Sequence, residues 1–357
     1  MKINTKKLIR ISLLLIAAGA VLTAIGMLFG GRPGVSFSKN GITSPYWQNK
    51  PYALEKTKTD PFSNIRLSVE SSADIQILPS DDGEFYIEYL LDGGYTEPSF
   101  DVKGDALTLA QKDTSFGNIY FFNFSYSDIG STHPYIILYI PAGHEMEELS
   151  VFNGLGNLSV EDLAFGNARL KNDFGNITLK DVTFADMELT LESGSLEAEH
   201  LAADSLLITN EYGDVALEDS SAKKADLKLD SGHLEADTFT CDSFHAKNEY
   251  GDIDLTAFSA DTAEFTLQSG SLLLEADKLD TFACSNEYGD VKLFLPKDLS
   301  EYTIDAHTEY GSIRLPDKAP EGFYSSSGGE ATYQTKGKAK GSITVNAESG
   351  DIKIDTM

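Results

Sequence analysis

Cysteine is almost missing from this chain: Cys241 and Cys284 are the only two in 357 residues. So few exclude a disulfide framework as the organising device. Each replaces an apolar residue, at different positions of a 19-residue repeat, so both read as small buried side chains, not as a bridge or metal pair. Histidine is sparse too, and the six (133, 144, 200, 233, 245, 307) show no metal-ligand spacing. No nucleophile motif is present, and neither is the glycine-rich nonapeptide of calcium β-rolls. Basic residues are few, 28 against 56 acidic, for a net charge of −28. A body that acidic repels nucleic acid and anionic lipid. Tryptophan occurs once, as Trp47.

Long apolar runs are also lacking, with one exception. Residues 11–29, ISLLLIAAGAVLTAIGMLF, hold no charge and are long enough to cross a bilayer. Lys2, Lys6, Lys7 and Arg10 precede the run and only Arg32 follows it closely. That asymmetry places residues 1–10 in the cytoplasm and the body outside the cell. A cleaved signal peptide is the rival reading, but the run is long for one and no clear Ala-x-Ala site follows. No cysteine follows for a lipid anchor.

The dominant feature present is the repeat. Glycines stand at 156, 175, 194, 213, 232, 251, 270 and 289, seven equal intervals of 19 residues. Taking each glycine as position 0, aliphatic residues recur at +2 (Leu158, Ile177, Leu196, Val215, Leu234, Ile253, Leu272, Val291). Apolar residues recur again at +4, −5 and −7. Alternation at period two is a half-buried strand. A third apolar segment, such as 182–184 or 258–260, closes the coil. Nineteen residues cannot hold a strand, a crossover helix and a second strand, so βαβ units are excluded. The expected fold is all-β: a parallel β-solenoid, or β-helix, with one 19-residue coil per repeat, behind one N-terminal membrane helix. Right-handed coiling follows from the usual crossover preference.

Position −3 reads Asn153, Asn172, Leu191, Asn210, Leu229, Asn248, Leu267, Asn286. From Asn172 onward asparagine and leucine alternate, so the full period is two coils. An inward Asn at a bend is expected to bond backbone groups freed by the turn. Acids form outward rows in the same period: Glu211, Glu249 and Glu287, and Asp214, Asp252 and Asp290. Acids of one row two coils apart stand about 9.6 Å from each other, too far for one ion to bridge.

The remaining segments are less regular. Residues 30–61, with Pro33, Pro45, Pro51 and Pro61, read as a linker. Residues 62–150 read as strands and turns forming the irregular, capping N-terminal part of the solenoid, ahead of the regular coils at 151–295. Within that part lies the aromatic stretch 119–126, IYFFNFSY, a core strand or end plug before a ligand platform. Residues 296–357 form irregular C-terminal coils and a cap. There the period slips through Gly311, Gly341 and Gly350, and a last strand at 350–354 is expected to close the end.

The segments FSNIRLSVESSADIQILPSDDGEFYIEY at 62–89 and YIILYIPAG with MEELSVFNGLGNLSVEDL between 135 and 163, with the tandem glycine–strand words, resemble the bacterial putative-adhesin family of unknown function. The resemblance covers about 62–357. It implies a β-solenoid ectodomain behind a single membrane helix, in the cell envelope of Gram-positive bacteria, in some members beside envelope-stress regulators. It carries no catalytic residues to this chain.

The expected function is that of a non-catalytic, extracytoplasmic binding module of a single-pass membrane protein, an adhesin or wall-binding module. Its partner would be a cell-envelope polymer or a surface protein. The alternative is a regulatory ectodomain acting on a membrane protein in cis, and behind it a glycan-active enzyme. Acids distributed by a repeat do not form the unique carboxylate cluster that glycan chemistry needs. No catalytic, cofactor or metal-binding residue is therefore assigned, and no nucleic-acid partner is expected.

Overall fold

The computed structural model describes residues 51–113 and 133–357, with Gly19 and the short segments 36–38 and 41–43. The expected membrane helix (Gly19 apart), most of the linker with Trp47, and the aromatic stretch 119–126 lie outside the described residues. Among the described residues no helix is long and apolar enough to cross a membrane. The chain divides into two units. The smaller contains the antiparallel pair Ser36–Ser38 and Gly41–Thr43, and a turn in which Gly94 N–H donates to Asp92 Oδ1 (2.7 Å). The larger spans 52–91, 97–112 and 133–357. It is all-β apart from one 3-10 turn, Leu299–Glu301.

In the regular part of the larger unit the strands pair in parallel with residues 19 places on, as in Glu145↔Ala164, Thr183↔Ala202 and Thr240↔Ser259, with a one-residue register shift at Phe258↔Ala276. The sequence dictates how one coil bends. After Gly213 the buried residues are Val215, Leu217, Ser220, Ala222, Ala225, Leu227 and Leu229. Between them the alternation slips twice, at Glu218–Asp219 and Lys223–Lys224, where two successive residues are exposed. Strict alternation would send the next apolar side chain outward, so each slip is a corner. With the glycine corner these give a three-sided coil, the apolar segment expected to close it being the second side. Phe239, Phe244, Phe258, Phe265 and Phe282 fill the core of the later coils, with ring centroids 5.1–5.7 Å apart.

The corners differ in what they demand. At Gly251 φ is +135° and a Cβ would stand 2.0 Å from the carbonyl oxygen of Gly232 in the preceding coil. No other residue fits so close a backbone approach. The corner at position +6 is left-handed without glycine: Asp162, Asp181, His200, Asp219, Thr238 and Ala257 have φ of 46–56°. There a Cβ is tolerated at roughly 1–2 kcal/mol per residue. No single residue type marks this corner, which is why the sequence pattern does not disclose it.

Both ends of the body are out of chain order. Ile65 pairs with Leu149 on one side and Leu107 on the other. Ile75 likewise lies between Leu158 and Ile136. The strands Asn64–Val69 and Asp74–Ser80 come first among these coils in sequence yet stand second in space. The outer coil is made by Ala106–Gln111 and Tyr135–Pro141. The C-terminal end mirrors this. Val345 lies between Cys284 and Ala306, and Ile352 between Val291 and Ile313. The last strand, Ile352–Thr356, therefore does not close the C-terminal end, contrary to the expectation from its place in the sequence. It fills a coil left open between earlier ones. That end is closed by Glu330–Thr335 and Gly322–Ser327, which pair antiparallel. At the other end Tyr86–Leu91, Tyr52–Lys58 and Ser99–Lys103 also run antiparallel. An antiparallel strand breaks the parallel ladder that a further coil, or another molecule, would extend.

Candidate functional site

The glycine corner concentrates the unusual residues of the molecule. Inside it, Asn248 Nδ2 donates to Gly232 O (2.9 Å) and Gly251 O (3.0 Å). Asn210 does the same for Gly194 (3.3 Å) and Gly213 (2.8 Å), and Asn286 for Gly270 and Gly289 (both 3.0 Å). One inward amide thus serves the corner carbonyls of two coils. That accounts for the alternation of Asn with Leu, because a second amide in the intervening coil would find both carbonyls taken. The Oδ1 atoms of these asparagines are buried and accept no hydrogen bond among the described residues.

One step past the glycine, at +1, runs a ladder from side chain to backbone. Asp74 Oδ1 accepts from Asn157 N (2.8 Å), Asn157 Oδ1 from Asn176 N (2.9 Å), and Asn176 Oδ1 from Ser195 N (3.0 Å). Asp214 Oδ1 accepts from His233 N, Asp252 Oδ1 from Ser271 N, Asp290 Oδ1 from Asp351 N and Asp351 Oδ1 from Ser312 N, at 2.7–2.9 Å. Along a strand successive N–H groups point to opposite neighbours. The N–H of position +1 points back, and the preceding coil meets it with a side-chain oxygen. The row Asp214, Asp252, Asp290 is therefore architectural. The Ser312 hydroxyl and N–H, then the Arg314 guanidinium, hold the Asp351 carboxyl below the usual carboxylate range.

One step before the glycine, at −1, stands a column that the sequence pattern does not single out. In spatial order it reads Phe174, Ser193, Tyr212, Ser231, Tyr250, Ser269, Tyr288, Ser349, Tyr310, each the direct register partner of the next. The aromatic members are 53–68% exposed. Alternation is kept through Ser349 and Tyr310, although chain order is reversed there. At −2 the neighbouring column is Asp173, Glu192, Glu211, Asp230, Glu249, Gln268, Glu287, Glu348, Glu309. Lys171, Lys228 and Lys247 pair with four of these acids: Asp173 and Glu192, Asp230, and Glu249. The expected row Glu211, Glu249, Glu287 is thus every second member of a nearly continuous acidic border. The tyrosines escape sequence reasoning because the word Asn-Glu-Tyr-Gly-Asp, which recurs at 210–214, 248–252 and 286–290, places them at a corner, where alternation says nothing about orientation.

Other features are accounted for by local pairing. A shallow depression of about 430 Å³ near the N-terminal end is lined by Arg66, Phe152, Arg169, Lys171 and Glu188 among others. Its cations are already paired, Arg66 with Glu148 (3.0 Å), Arg169 with Glu188 (3.3 Å) and Lys171 with Asp173 and Glu192. At the +6 corner His200 Nδ1 lies 2.9 Å from Asp181 Oδ1, and Nε2 lies 3.8 Å from Asp219 Oδ2. Among the described residues no group of His, Cys, Asp or Glu is placed to hold a metal ion. Cys241 and Cys284 are free and buried, and burial pushes both thiols up to about 12. Neither is a thiolate at neutral pH.

A solenoid with a strict glycine corner and antiparallel closures is what this sequence builds, and a family pattern matches it at residues 62–256 and 198–355. The chain belongs to the Toastrack DUF4097 family. Among solved structures, a putative adhesin from Bacteroides fragilis is similar over 87% of this chain and 98% of its own, at 15% identity and a TM-score of 0.36. A putative lipid binding protein from Parabacteroides distasonis gives 87% and 98%, 17% identity and a TM-score of 0.37. A putative cell adhesion protein from Clostridium sporogenes gives 86% and 100%, 13% identity and a TM-score of 0.19. No curated protein matches the chain. The functional reading of this Toastrack body rests on its own glycine corner.

Proposed function

We propose that this protein is a non-catalytic binding module of the cell envelope, held outside the cell by an uncleaved N-terminal membrane helix at residues 11–29. Its partner is a surface polymer or a surface protein. The observation that supports this reading is the exposed aromatic column at the glycine corner. Five large rings, on every second coil of one corner, stand 53–68% exposed in a single line, and exposed aromatic side chains set out in a row are a common mark of a binding surface. A repeat body suits an extended partner, because it presents the same contact many times along one line. The acids favour binding over chemistry: Asp74, Asp214, Asp252, Asp290 and Asp351 are tied to backbone N–H groups, and Glu211, Glu249 and Glu287 recur every two coils.

The test is sedimentation of the full chain with intact cell walls, with Ca²⁺ and with chelator. Saturable binding supports the reading, and loss of it with chelator implicates the acidic border. If walls bind nothing and crosslinking instead captures a membrane protein, the regulatory alternative replaces it. Release of new reducing ends from wall glycan would sink the non-catalytic part.

A further inference from the structure

The spacing of the aromatic column carries the binding reading one step further. Parallel strands stack about 4.8 Å apart, so rings on every second coil recur at about 9.6 Å. Phe174, Tyr212, Tyr250, Tyr288 and Tyr310 are five such rings, in a line of roughly 38 Å on the same spacing. A ligand that profits from all of them must repeat at that interval and must stay straight.

An extended β-1,4-linked glycan does both. Each sugar ring is turned over relative to the one before, so the same face returns with every disaccharide, an interval close to two coils. Pyranose C–H groups carry partial positive charge and pack on the negative face of an aromatic ring. The acidic border beside the rings supplies carboxylate oxygens, which accept hydrogen bonds from sugar hydroxyls or ammonium groups. Glu211, Glu287, Glu348 and Glu309 have no cationic partner among the described residues, which leaves them available.

Charge decides between occupants. An anionic polymer or anionic membrane would meet the column Asp173, Glu192, Glu211, Asp230, Glu249, Glu287, Glu348, Glu309 and be repelled. A second copy of this chain laid corner to corner would set the same column against itself. A neutral or amine-bearing glycan meets no such opposition. We propose that the glycine corner is a linear binding site for an extended, uncharged or amine-bearing β-1,4-linked polysaccharide. Its aromatic members at 174, 212, 250, 288 and 310 stack on every second sugar.

This proposal rests on the surface-binding reading, and the test separates the two. The full chain is sedimented with insoluble chitin, with chitosan, with granular starch as the α-linked control, and with intact cell walls. Polylysine immobilised on beads is a further arm. The variant set is Tyr212→Ser, Tyr250→Ser, Tyr288→Ser and Tyr310→Ser, singly and together. Serine already occupies this column at 193, 231, 269 and 349, so the substitutions repeat a residue the coil accommodates, and an unchanged thermal melt verifies it. Expected are binding to chitin and chitosan but not starch, and a loss of roughly three- to tenfold per tyrosine. The fourfold variant should lose saturable binding. Glu211→Gln with Glu287→Gln should weaken chitosan more than chitin, and added salt should do the same.

Equal binding of starch, or full binding by the fourfold variant, overturns the proposal. So does binding to polylysine alone, which reassigns the corner to a basic polypeptide. Binding to walls without binding to either β-linked glycan overturns the ligand assignment and leaves the surface-binding reading standing. Binding to none of these overturns both.

Discussion

The side-chain amide of Asn248 donates to the carbonyl oxygen of Gly232 at 2.9 Å, from one coil to the coil before it. The same nitrogen reaches Gly251 in its own coil at 3.0 Å. Asn248→Leu places at this position the residue that coils on either side carry, Leu229 and Leu267, yet leaves two part-buried carbonyls without the amide. Expected destabilisation is about 2–4 kcal/mol. The converse change, Leu229→Asn, should also destabilise, because Asn210 and Asn248 already serve the nearest carbonyls. Urea denaturation of both variants checks this, and an unharmed Leu229→Asn would show that the alternation has another cause.

Gly251→Ala should be far more damaging than Gly83→Ala. Both glycines have positive φ, +135° and +75°, but a Cβ at 251 meets Gly232 O at 2.0 Å whereas one at 83 meets nothing within 4 Å. Backbone strain alone is about 1–2 kcal/mol. The clash at 251 raises the total to roughly 3 kcal/mol or more. Comparable melting temperatures for the two variants would count against the stacked-glycine account.

The left-handed +6 corner predicts a gain. Thr238 is β-branched and sits at φ 56°. Thr238→Gly removes that strain at some entropic loss, for a net stabilisation of up to about 1 kcal/mol. A rise in melting temperature is expected, and a fall would mean that the threonine side chain supports the corner.

Acid should loosen the C-terminal coils through Asp351. Its carboxyl is held low by Ser312, through hydroxyl and N–H, and secondarily by Arg314. A depressed folded value means that the contribution is complete above the unfolded value of about 3.9. It disappears as pH falls through the lower folded value. Asp351→Asn keeps the Oδ1 acceptor for Ser312 N–H and removes the titration. Melting temperature measured from pH 5 to pH 2 should fall less steeply for the variant, and parallel curves would refute the assignment.

Because the strand Gly341–Ser349 lies between Cys284 and Ala306 in register, Ile343→Asp should disturb coils on both sides. Amide exchange should quicken in 302–310 as well as in 341–349. If quickening were confined to 341–349, the strand would be peripheral and the out-of-order stacking wrong.

Much of the fold is legible in the chain itself. The glycine interval gives the coil, the period-two alternation gives the strands, and the inward asparagines announce a bonded corner. The candidate site is half legible. Glu211, Glu249 and Glu287 stand out as a row, while Tyr212, Tyr250 and Tyr288 hide beside the glycine. Tyr310 hides beside Gly311, where the 19-residue spacing has already slipped, and only the stacking of Ser349 between Tyr288 and Tyr310 restores it to the line.

The sequence alone determines what is local. A side chain's inward or outward direction follows from neighbours one to four residues away, so the shape of a coil is written within any 19 residues. The order in which coils stack is not. Strands such as Asn64–Val69 and Ile352–Thr356 carry the same alternating pattern as any other, and parallel pairing accepts any of them as a neighbour. Which strand lies beside which is decided by long insertions that let the chain skip a coil and return, and by antiparallel strands that close each end. The column of alternating rings and serines reaches Tyr310 only once that stacking is complete.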